Sequence, residues 1–151
     1  MVKVICIDQI SKEIDDKMQK GLTAYETSKG IVVNYKCFTL LMLDDQDEAI
    51  GVLNAYTAYA EIYIEDLWID SHHRGKGYGT KLIHDLEQRF KNKGFNNINL
   101  VTGEVYAPGF YQKCGFQLEF SRKNLKNPKL NKYFFIKYFD DEIQTQGICL
   151  L

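Results

Sequence analysis

The chain has 151 residues and a formal net charge of -1, and it is 45% hydrophobic and 26% charged. This composition predicts one folded domain with a buried core and argues against disorder. The near-neutral charge argues against nucleic acid as a partner, and no apolar run approaches the roughly 20 residues of a membrane span. The N-terminus lacks the long apolar centre of a signal peptide, so we expect a cytoplasmic protein with no membrane partner.

The first half of the chain predicts a strand, a helix and a three-strand meander. Residues 2–7, "VKVICI", form a short β-branched run, which favours a strand. Apolar residues then recur every three to four positions from Ile10 to Tyr25, a helical stripe that we expect to break near Gly21 or Gly30. Three apolar segments with short links follow, which indicates an antiparallel meander. These segments are residues 37–43, 49–58 and 60–69.

The second half predicts a strand–helix–strand unit followed by a short helix and two strands. Apolar residues four apart from Tyr78 to Phe90 indicate an amphipathic helix over residues 77–93, with Gly94 just after its end. A strand follows this helix, which indicates a parallel crossover. The remaining segments are a strand at 97–102, a short helix at 108–114 and strands at 116–120 and 132–139.

The cysteines and the paired histidines suggest neither disulfides nor a metal site. The four cysteines are widely spaced with no CxxC pair, so we expect reduced thiols in or near the core. His72 and His73 are neighbours on a loop with no acidic or cysteine partner at zinc spacing, so we assign no metal site and place them on the surface. The cysteines are Cys6, Cys37, Cys114 and Cys149.

A glycine-rich loop precedes the long predicted helix of the second half. In "SHHRGKGYGTKLI", residues 71–83, Gly75, Gly77 and Gly79 alternate with larger residues and Arg74 precedes them. A helix N-terminus offers unpaired N–H groups and a partial positive charge, and glycine lets an anion approach the backbone closely. The loop therefore predicts a cradle for a phosphate or diphosphate group.

Three common phosphate-binding motifs do not fit this loop. A P-loop ends in G-K-[ST], whereas here Gly79 is followed by Thr80 and Lys81. A dinucleotide fingerprint that starts at Gly75 needs glycine where Thr80 stands, so a dinucleotide-binding oxidoreductase is not indicated. The HRD and DFG motifs of protein kinases are absent.

The pattern that remains, Arg74-x-x-Gly77-x-Gly79 between a strand and a helix, resembles the pyrophosphate motif of the GCN5-related N-acetyltransferases, the GNAT family. Upstream, "YIEDLWI" at 63–69 is similar to the family's fourth strand. Downstream, "APGFYQKCGF" at 107–116 is similar to its A-x-x-[FL]-Y-x-K-x-G-F segment. The three segments agree in order and spacing, and the resemblance covers the chain except for a tail after about residue 140.

The resemblance implies one N-acetyltransferase domain over residues 1–151 with a GNAT-like α/β (α+β) fold. Such a fold has a central mixed, mostly antiparallel sheet of about seven strands flanked by helices and splayed between the fourth and fifth strands. The implied function is transfer of an acetyl group from acetyl-CoA to the amine of a small molecule by direct attack. A non-catalytic acyl-CoA-binding module and an acetyltransferase for a protein amine are the alternatives. A homodimer is also possible under this resemblance, and the aromatic last strand is the candidate for the sheet edge through which two copies would pair.

The resemblance also implies which residues hold acetyl-CoA. Backbone N–H groups of the glycine loop would bind the diphosphate, and the Lys76 side chain would point to solvent. Arg74 would either help to bind the diphosphate or only pin the loop. Backbone groups of the fourth strand would align the pantetheine arm by strand-like pairing, and one would polarise the thioester carbonyl. The loop residues are Gly75, Lys76, Gly77, Tyr78, Gly79 and Thr80, and the strand residues are Leu67, Trp68 and Ile69.

Three residues follow from the resemblance as candidates for the chemistry. Glu65 matches the glutamate that some diamine acetyltransferases use as a base, and Asp66 would attract a cationic substrate; on a regular strand the two face opposite sides. Tyr111 matches the family tyrosine near the thioester sulfur, and a phenol with a pKa near 10 can donate to a thiolate at pH 7. One position departs from the family, because Glu104 stands where many members carry a cofactor-binding asparagine.

Overall fold

The structure, a computed structural model, describes residues 2–139 and divides into two compact units between Asn34 and Tyr35. The smaller unit contains one helix, α1 (Lys12–Ser28), which the Ser11 hydroxyl caps by accepting from the N–H of Ile14. The helix runs through Gly21 and ends just before Gly30, whose φ of +76° suits a helix C-terminus. The predicted helix and its later break point are thus confirmed. Cys149 and the predicted tail lie outside the described residues.

The strand predicted at residues 2–7 is wrong, because this segment has no regular secondary structure. A β-branched run has only a preference for a pleated surface, and it becomes a strand where a neighbouring strand supplies ladder hydrogen bonds. Within residues 2–139 the sheet accordingly has six strands instead of the expected number of about seven.

The larger unit is built on one mixed sheet with the order β1-β2-β3-β4-β6-β5. The first three strands form the predicted antiparallel meander, and β3 pairs with β4 in parallel across a crossover that contains α2. A short helix, α3, precedes the last two strands. The strands are β1 (Lys36–Leu43), β2 (Ala49–Ala58), β3 (Glu61–Ile69), β4 (Asn97–Gly103), β5 (Gln117–Arg122) and β6 (Lys132–Tyr138), and the helices are α2 (Tyr78–Phe90) and α3 (Gly109–Lys113).

The core lies between the sheet and α2. Leu82, Ile83 and Leu86 of α2 are buried in one cluster with aliphatic residues of the central strands, among them Leu53 and Ile62. Each fully buried Leu or Ile of this kind stabilises the fold by about 1.5–3 kcal/mol. The apolar spacing that predicted an amphipathic helix is therefore the face that holds α2 on the sheet.

Helix α2 ends at Phe90, three residues before the predicted end at Lys93. Asn92 has a φ of +59° and Gly94 a φ of +82°, so the chain forms a turn here instead of a further helical turn. The rings of Phe90 and Phe95 lie 5.2 Å apart in an edge-to-face arrangement, and this turn brings them together.

The sheet splays open between β3 and β4. These strands pair only from Glu61–Asn97 to Ile64–Leu100, whereas β4 continues to pair with β6 as far as Gly103. Beyond Ile64 one edge of β3 is therefore free of sheet partners within the described residues. This confirms the splay that the family resemblance implied, between the strands that correspond to the family's fourth and fifth.

Two other expectations differ from the structure. The aromatic last strand, β6, lies between β4 and β5 and is not an edge; the edge strands of the described sheet are β1 and β5. Cys6 and Cys37 are exposed, so the prediction of thiols in or near the core is wrong for them, while Cys114 is half-buried. Among residues 2–139, none of the helices has the length and apolar content of a membrane span.

Candidate active site

A cleft of about 1140 Å³ opens at the splay and lies entirely within the larger unit. Its walls are the end of β3, the glycine loop, the start of α2, the end of β4 and the start of α3. Every site residue predicted from the sequence lines this cleft except Lys76. The predicted residues that line it are Glu65, Asp66, Leu67, Trp68, Ile69, Arg74, Gly75, Gly77, Tyr78, Gly79, Thr80 and Tyr111.

The three glycines of the loop are required for two different reasons. Gly75 and Gly77 have φ values of +74° and +82°, a backbone conformation that other residues rarely adopt. A Cβ at either position would meet no described atom within 4 Å, so both glycines face open space. At Gly79 a Cβ would stand 3.1 Å from the Phe110 ring, so this glycine allows α2 to pack closely on α3.

The start of α2 provides donors that the helix itself does not use. The N–H of Lys81 makes the first helical hydrogen bond, to the Gly77 carbonyl at 3.0 Å. The N–H groups of Tyr78, Gly79 and Thr80 precede it and have no partner inside the helix. Among the described residues no side chain caps this end. The free donors, the helix dipole and the open space at Gly75 and Gly77 fit a diphosphate group.

Two side chains brace the loop between β3 and α2. The Nε of Arg74 donates to the Ile69 carbonyl at 3.0 Å, which pins the loop to the end of β3. Asp70 accepts from the N–H of His72 at 3.0 Å, and its Oδ1 lies 3.1 Å from Nδ1 of His73. Both contacts lower the pKa of the Asp70 carboxyl, and the contact with His73 has the larger effect.

The end of β3 forms one wall through its backbone. Leu67 and Ile69 pack against the core, as their pattern suggested, while Trp68 is 44% exposed and lies on the cleft wall. The pairs Gly51–Ile69 and Leu53–Leu67 bond this segment to β2 on one edge only. The other edge can pair with an extended ligand in the manner of an added strand.

Glu65 and Asp66 both line the cleft, although alternation on a regular strand predicted opposite sides. The register explains the difference: Asn54 pairs with Asp66 and Ala55 with Ile64, which leaves Glu65 as the extra residue of a β-bulge. The bulge changes the direction of the following side chains. Asp66 also accepts a hydrogen bond of 3.1 Å from the Asn54 amide.

Two further acidic residues near β3, Glu61 at its start and Asp70 just after its end, do not line the cleft and are engaged in hydrogen bonds. Glu61 accepts hydrogen bonds from the amides of Asn97 and Asn99, at 3.2 and 3.1 Å. Asp70 is occupied by the two histidines. The negative charge of β3 inside the cleft therefore comes from Glu65 and Asp66.

Tyr111 is 9% exposed and sits at the inner wall of the cleft. Its ring packs against Phe110, Phe116 and Phe135, with centroid distances of 5.1, 5.9 and 5.9 Å. Burial, with a smaller effect of the Cys114 thiol, raises the pKa of Tyr111 to about 12. The hydroxyl therefore keeps its proton throughout the physiological range.

Several wall residues were not found from the sequence. The segment after β4 contributes Val105, Tyr106 and Ala107, and α3 contributes Phe110. His73, which the sequence placed on the surface beside the cofactor site, also lines the cleft. Their position in the chain could have identified them, because residues 104–107 connect β4, at the splay, to the short helix that carries Tyr111. Glu104 is not on the wall, and its carboxylate accepts hydrogen bonds from Tyr133 and Asn131.

Comparison with known proteins agrees with this geometry. A model of the acetyltransferase (GNAT) family matches residues 9–116. The uncharacterized N-acetyltransferase YvbK of Bacillus subtilis is 25% identical over 146 residues, covering 93% of this chain and 87% of that protein. Blasticidin-S acetyltransferase of Streptomyces morookaense is 32% identical over 75 residues, covering 49% of this chain and 55% of that protein.

Among solved structures, an aminoglycoside 6'-N-acetyltransferase in complex with coenzyme A has the same fold. Its TM-score is 0.59 with 18% sequence identity, and the match covers 88% of this chain and 94% of that one. The family match spans well over half of the chain. This chain is therefore an N-acetyltransferase that uses acetyl-CoA, and it belongs to the GNAT family.

Proposed function

We propose that the enzyme acetylates the amine of a small, cationic molecule by direct attack, and that the reaction takes place in the splayed cleft. The observation that supports this most is the continuity of the cleft. It runs from the donors of the glycine loop, along the free edge of β3, to two carboxylates and the buried residue Tyr111. A module that only binds acyl-CoA has no use for the last two features.

The cofactor site consists mostly of backbone. The N–H groups from Gly75 to Thr80 bind the diphosphate, and the free edge of β3 from Leu67 to Ile69 pairs with the pantetheine arm. Bound acetyl-CoA supplies an acetyl group that is activated as a thioester. One of the β3 N–H groups donates to the thioester carbonyl and stabilises negative charge there.

Glu65 acts as the base in this proposal, directly or through one water. An alkyl ammonium group has a pKa near 10.4, so the nucleophilic free amine is scarce at neutral pH. The carboxylate removes the proton that the nitrogen loses as its bond to carbon forms. The bulge supports this role because it leaves Glu65 without a partner residue on β2 and places it on the cleft wall.

Tyr111 stabilises the sulfur as it leaves. A thiol ordinarily has a pKa near 8.5, well below the value of about 12 for the Tyr111 hydroxyl. The hydroxyl therefore donates a hydrogen bond to the developing negative charge and keeps its own proton. The ammonium form first loses one proton to solvent. As the carbon–nitrogen bond forms and the carbon–sulfur bond breaks, the nitrogen releases a second proton to Glu65, which returns it to solvent, and the thiolate takes up one proton from solvent, so the reaction releases one proton in total.

Charge and aromatic surface support a cationic acceptor. Asp66 lies beside Glu65 on the cleft wall. Tyr35, Tyr56 and Tyr63, which do not line the cleft themselves, form a row with centroid distances of 5.5 and 5.2 Å. Burial, and to a smaller extent the charges of Tyr63 and Glu65, raises the pKa of Tyr56. Aromatic faces and carboxylates together attract cations.

A small molecule fits better than a protein amine. The relative that acetylates the antibiotic blasticidin-S supports a small acceptor, since it is 32% identical over the 75 residues that match. The test is release of free thiol from acetyl-CoA with a panel of di- and polyamines, amino sugars, lysine peptides and peptides with a free N-terminus. The proposal expects turnover with small cationic amines; turnover confined to the peptides would assign the enzyme to protein amines.

The control for this assay is the Gly77→Glu variant, which places bulk and negative charge in the predicted diphosphate site. It should lose turnover with every acceptor in the panel. A parent enzyme that releases no thiol with any amine, yet binds coenzyme A, would support the non-catalytic alternative.

A further inference from the structure

The strand β4 leads directly into a segment that forms part of the cleft wall. Val105, Tyr106 and Ala107 line the cleft, and α3 with Tyr111 follows two residues later. Ala107 has a φ of +51°, a left-handed conformation that is costly for a residue other than glycine. Such a conformation persists only where the surroundings hold the backbone in place.

Glu104, at the head of this segment, is bonded to the start of β6. Its N–H donates to the Asn131 carbonyl at 3.0 Å, and its carboxylate accepts from the Tyr133 hydroxyl and, at 3.5 Å, from the Asn131 amide. The hydrogen bond with Glu104 is the main cause that raises the pKa of Tyr133. Hydrogen bonds to a charged acceptor are stronger than those between neutral groups.

The partner side of these bonds is itself firmly structured. Asn131 is 7% exposed, and its side-chain oxygen accepts from the N–H of Asn124 at 2.8 Å. Asn124 in turn accepts from the N–H groups of Lys126 and Asn127. The loop between β5 and β6 is thus tied together around Asn131, so it can serve as a fixed support.

We propose that Glu104 is a positioning residue, whose bonds to Tyr133 and Asn131 hold the cleft wall at 105–107 and, through it, Tyr111. The family resemblance implies a cofactor-binding asparagine at this position, but here Glu104 does not line the cleft and its carboxylate is bonded to Tyr133 and Asn131. Its contribution is therefore indirect. The inference rests on the proposed role of the cleft and of Tyr111.

The first test compares Glu104→Ala with Glu104→Gln at saturating acetyl-CoA and acceptor. Loss of the acceptor oxygens frees the wall, so Glu104→Ala should lower kcat about tenfold, within the range seen for misplaced catalytic groups. Glu104→Gln keeps an oxygen for Tyr133 and should stay within about twofold of the parent. The matched control is Glu119→Ala on the exposed edge strand β5, which should leave kcat unchanged.

Tyr133→Phe should reproduce the loss, and the double variant with Glu104→Ala should be no slower than Glu104→Ala alone, because the two residues act through one contact. Thermal melts and circular dichroism on each sample establish that the protein is folded. A variant with a lower melting temperature but the kcat of the parent would show that the contact only stabilises the fold, and would contradict a positioning role. Losses in the two single variants that multiply in the double variant would also overturn it, as would an equal loss in Glu104→Gln and Glu104→Ala.

A second readout does not depend on turnover. With carbon-13 at the ζ position of tyrosine, NMR titration follows the ionisation of Tyr133 directly. Its midpoint should move to lower pH in Glu104→Ala, and an unchanged midpoint would overturn the contact on which the inference rests. If the parent acetylates no amine, the proposed function fails while this titration still reports on Glu104.

Discussion

At the scale of single residues, Tyr111 combines two properties that usually exclude each other. Its ring is packed among Phe110, Phe116 and Phe135, yet its residue also lines the cleft. Burial disfavours the phenolate and raises its pKa to about 12. A hydroxyl that is held rigidly and never ionises near neutral pH is suited to donate a hydrogen bond to a leaving thiolate.

The Tyr111→Phe variant removes this donor and keeps the ring. We expect kcat to fall by about 10²–10³, the usual cost of removing one donor to a developing negative charge. Affinity for coenzyme A should change little, because its contacts come mostly from the backbone. Steady-state kinetics with a good acceptor measures the fall, and a melt on the same sample controls for lost stability. Full kcat in the variant would reduce Tyr111 to a packing residue.

Glu65→Gln tests the base, because an amide cannot take up the proton. We expect slower turnover and a flatter acidic limb in the pH–rate profile, with unchanged affinity for coenzyme A. Asp66→Asn is the matched control, and it should mainly raise KM for a cationic acceptor. A Glu65→Gln profile that superimposes on that of the parent would assign the base to Asp66 or to water.

The sequence predicted these residues but not all of their directions. The A-x-x-F-Y-x-K-x-G-F segment locates Tyr111 because its spacing lies within one short stretch of chain. The orientation of Glu65 depends on a bulge opposite Asn54 and Ala55, which arises from pairing between two strands and has no local signal. The contact of Glu104 with Tyr133 joins residues 29 positions apart and could not be read from the sequence.

At the scale of elements, we propose that the glycine loop and α2 act as one anion-binding unit. Gly75 and Gly77 supply the left-handed turns, and the uncapped start of α2 supplies the donors. Gly79 has a different task, since it makes room for the Phe110 ring. The alternation of glycines thus arises from one conformational and one packing requirement.

The Gly77→Glu variant should abolish measurable binding of coenzyme A. It adds a negative charge beside the diphosphate site and forces a φ of +82° on a residue with a Cβ. Calorimetric titration measures the affinity, and Lys76→Glu is the control for charge alone, since Lys76 does not line the cleft. Parental affinity in Gly77→Glu would place the diphosphate elsewhere.

Most elements could be predicted from periodicity, and the errors have identifiable causes. The run at 2–7 has strand propensity but no strand partner in the described structure. Helix α2 stops at Phe90 because the chain turns at Asn92 to bring Phe95 against Phe90. The last strand lies inside the sheet because β6 inserts between β4 and β5, a topology that spacing along the chain cannot show.

At the scale of the whole molecule, the raised pKa of Tyr111 links stability to pH. An unfolded tyrosine ionises near pH 10, whereas folded Tyr111 holds its proton to about pH 12. Between these values the unfolded state binds fewer protons than the folded state, so stability falls as pH rises. The contribution is fully present below pH 10 and is lost progressively above it.

Urea unfolding of the parent and of Tyr111→Phe, compared from pH 8 to pH 11, tests this link. The difference in unfolding free energy should be constant up to about pH 9.5. Between pH 10 and pH 11 the parent should lose about 1 kcal/mol of unfolding free energy relative to the variant. The other tyrosines are common to both proteins and cancel. A difference that stays constant to pH 11 would mean that Tyr111 ionises like an exposed tyrosine.

A crystal structure with coenzyme A would test most directly whether the splayed cleft is the site of acetyl transfer. The result we predict has the diphosphate on the N–H groups of Tyr78, Gly79 and Thr80, the pantetheine arm along Leu67–Ile69, and the sulfur within hydrogen-bonding distance of the Tyr111 hydroxyl. A diphosphate bound away from the glycine loop, or a sulfur out of reach of Tyr111, would contradict the account.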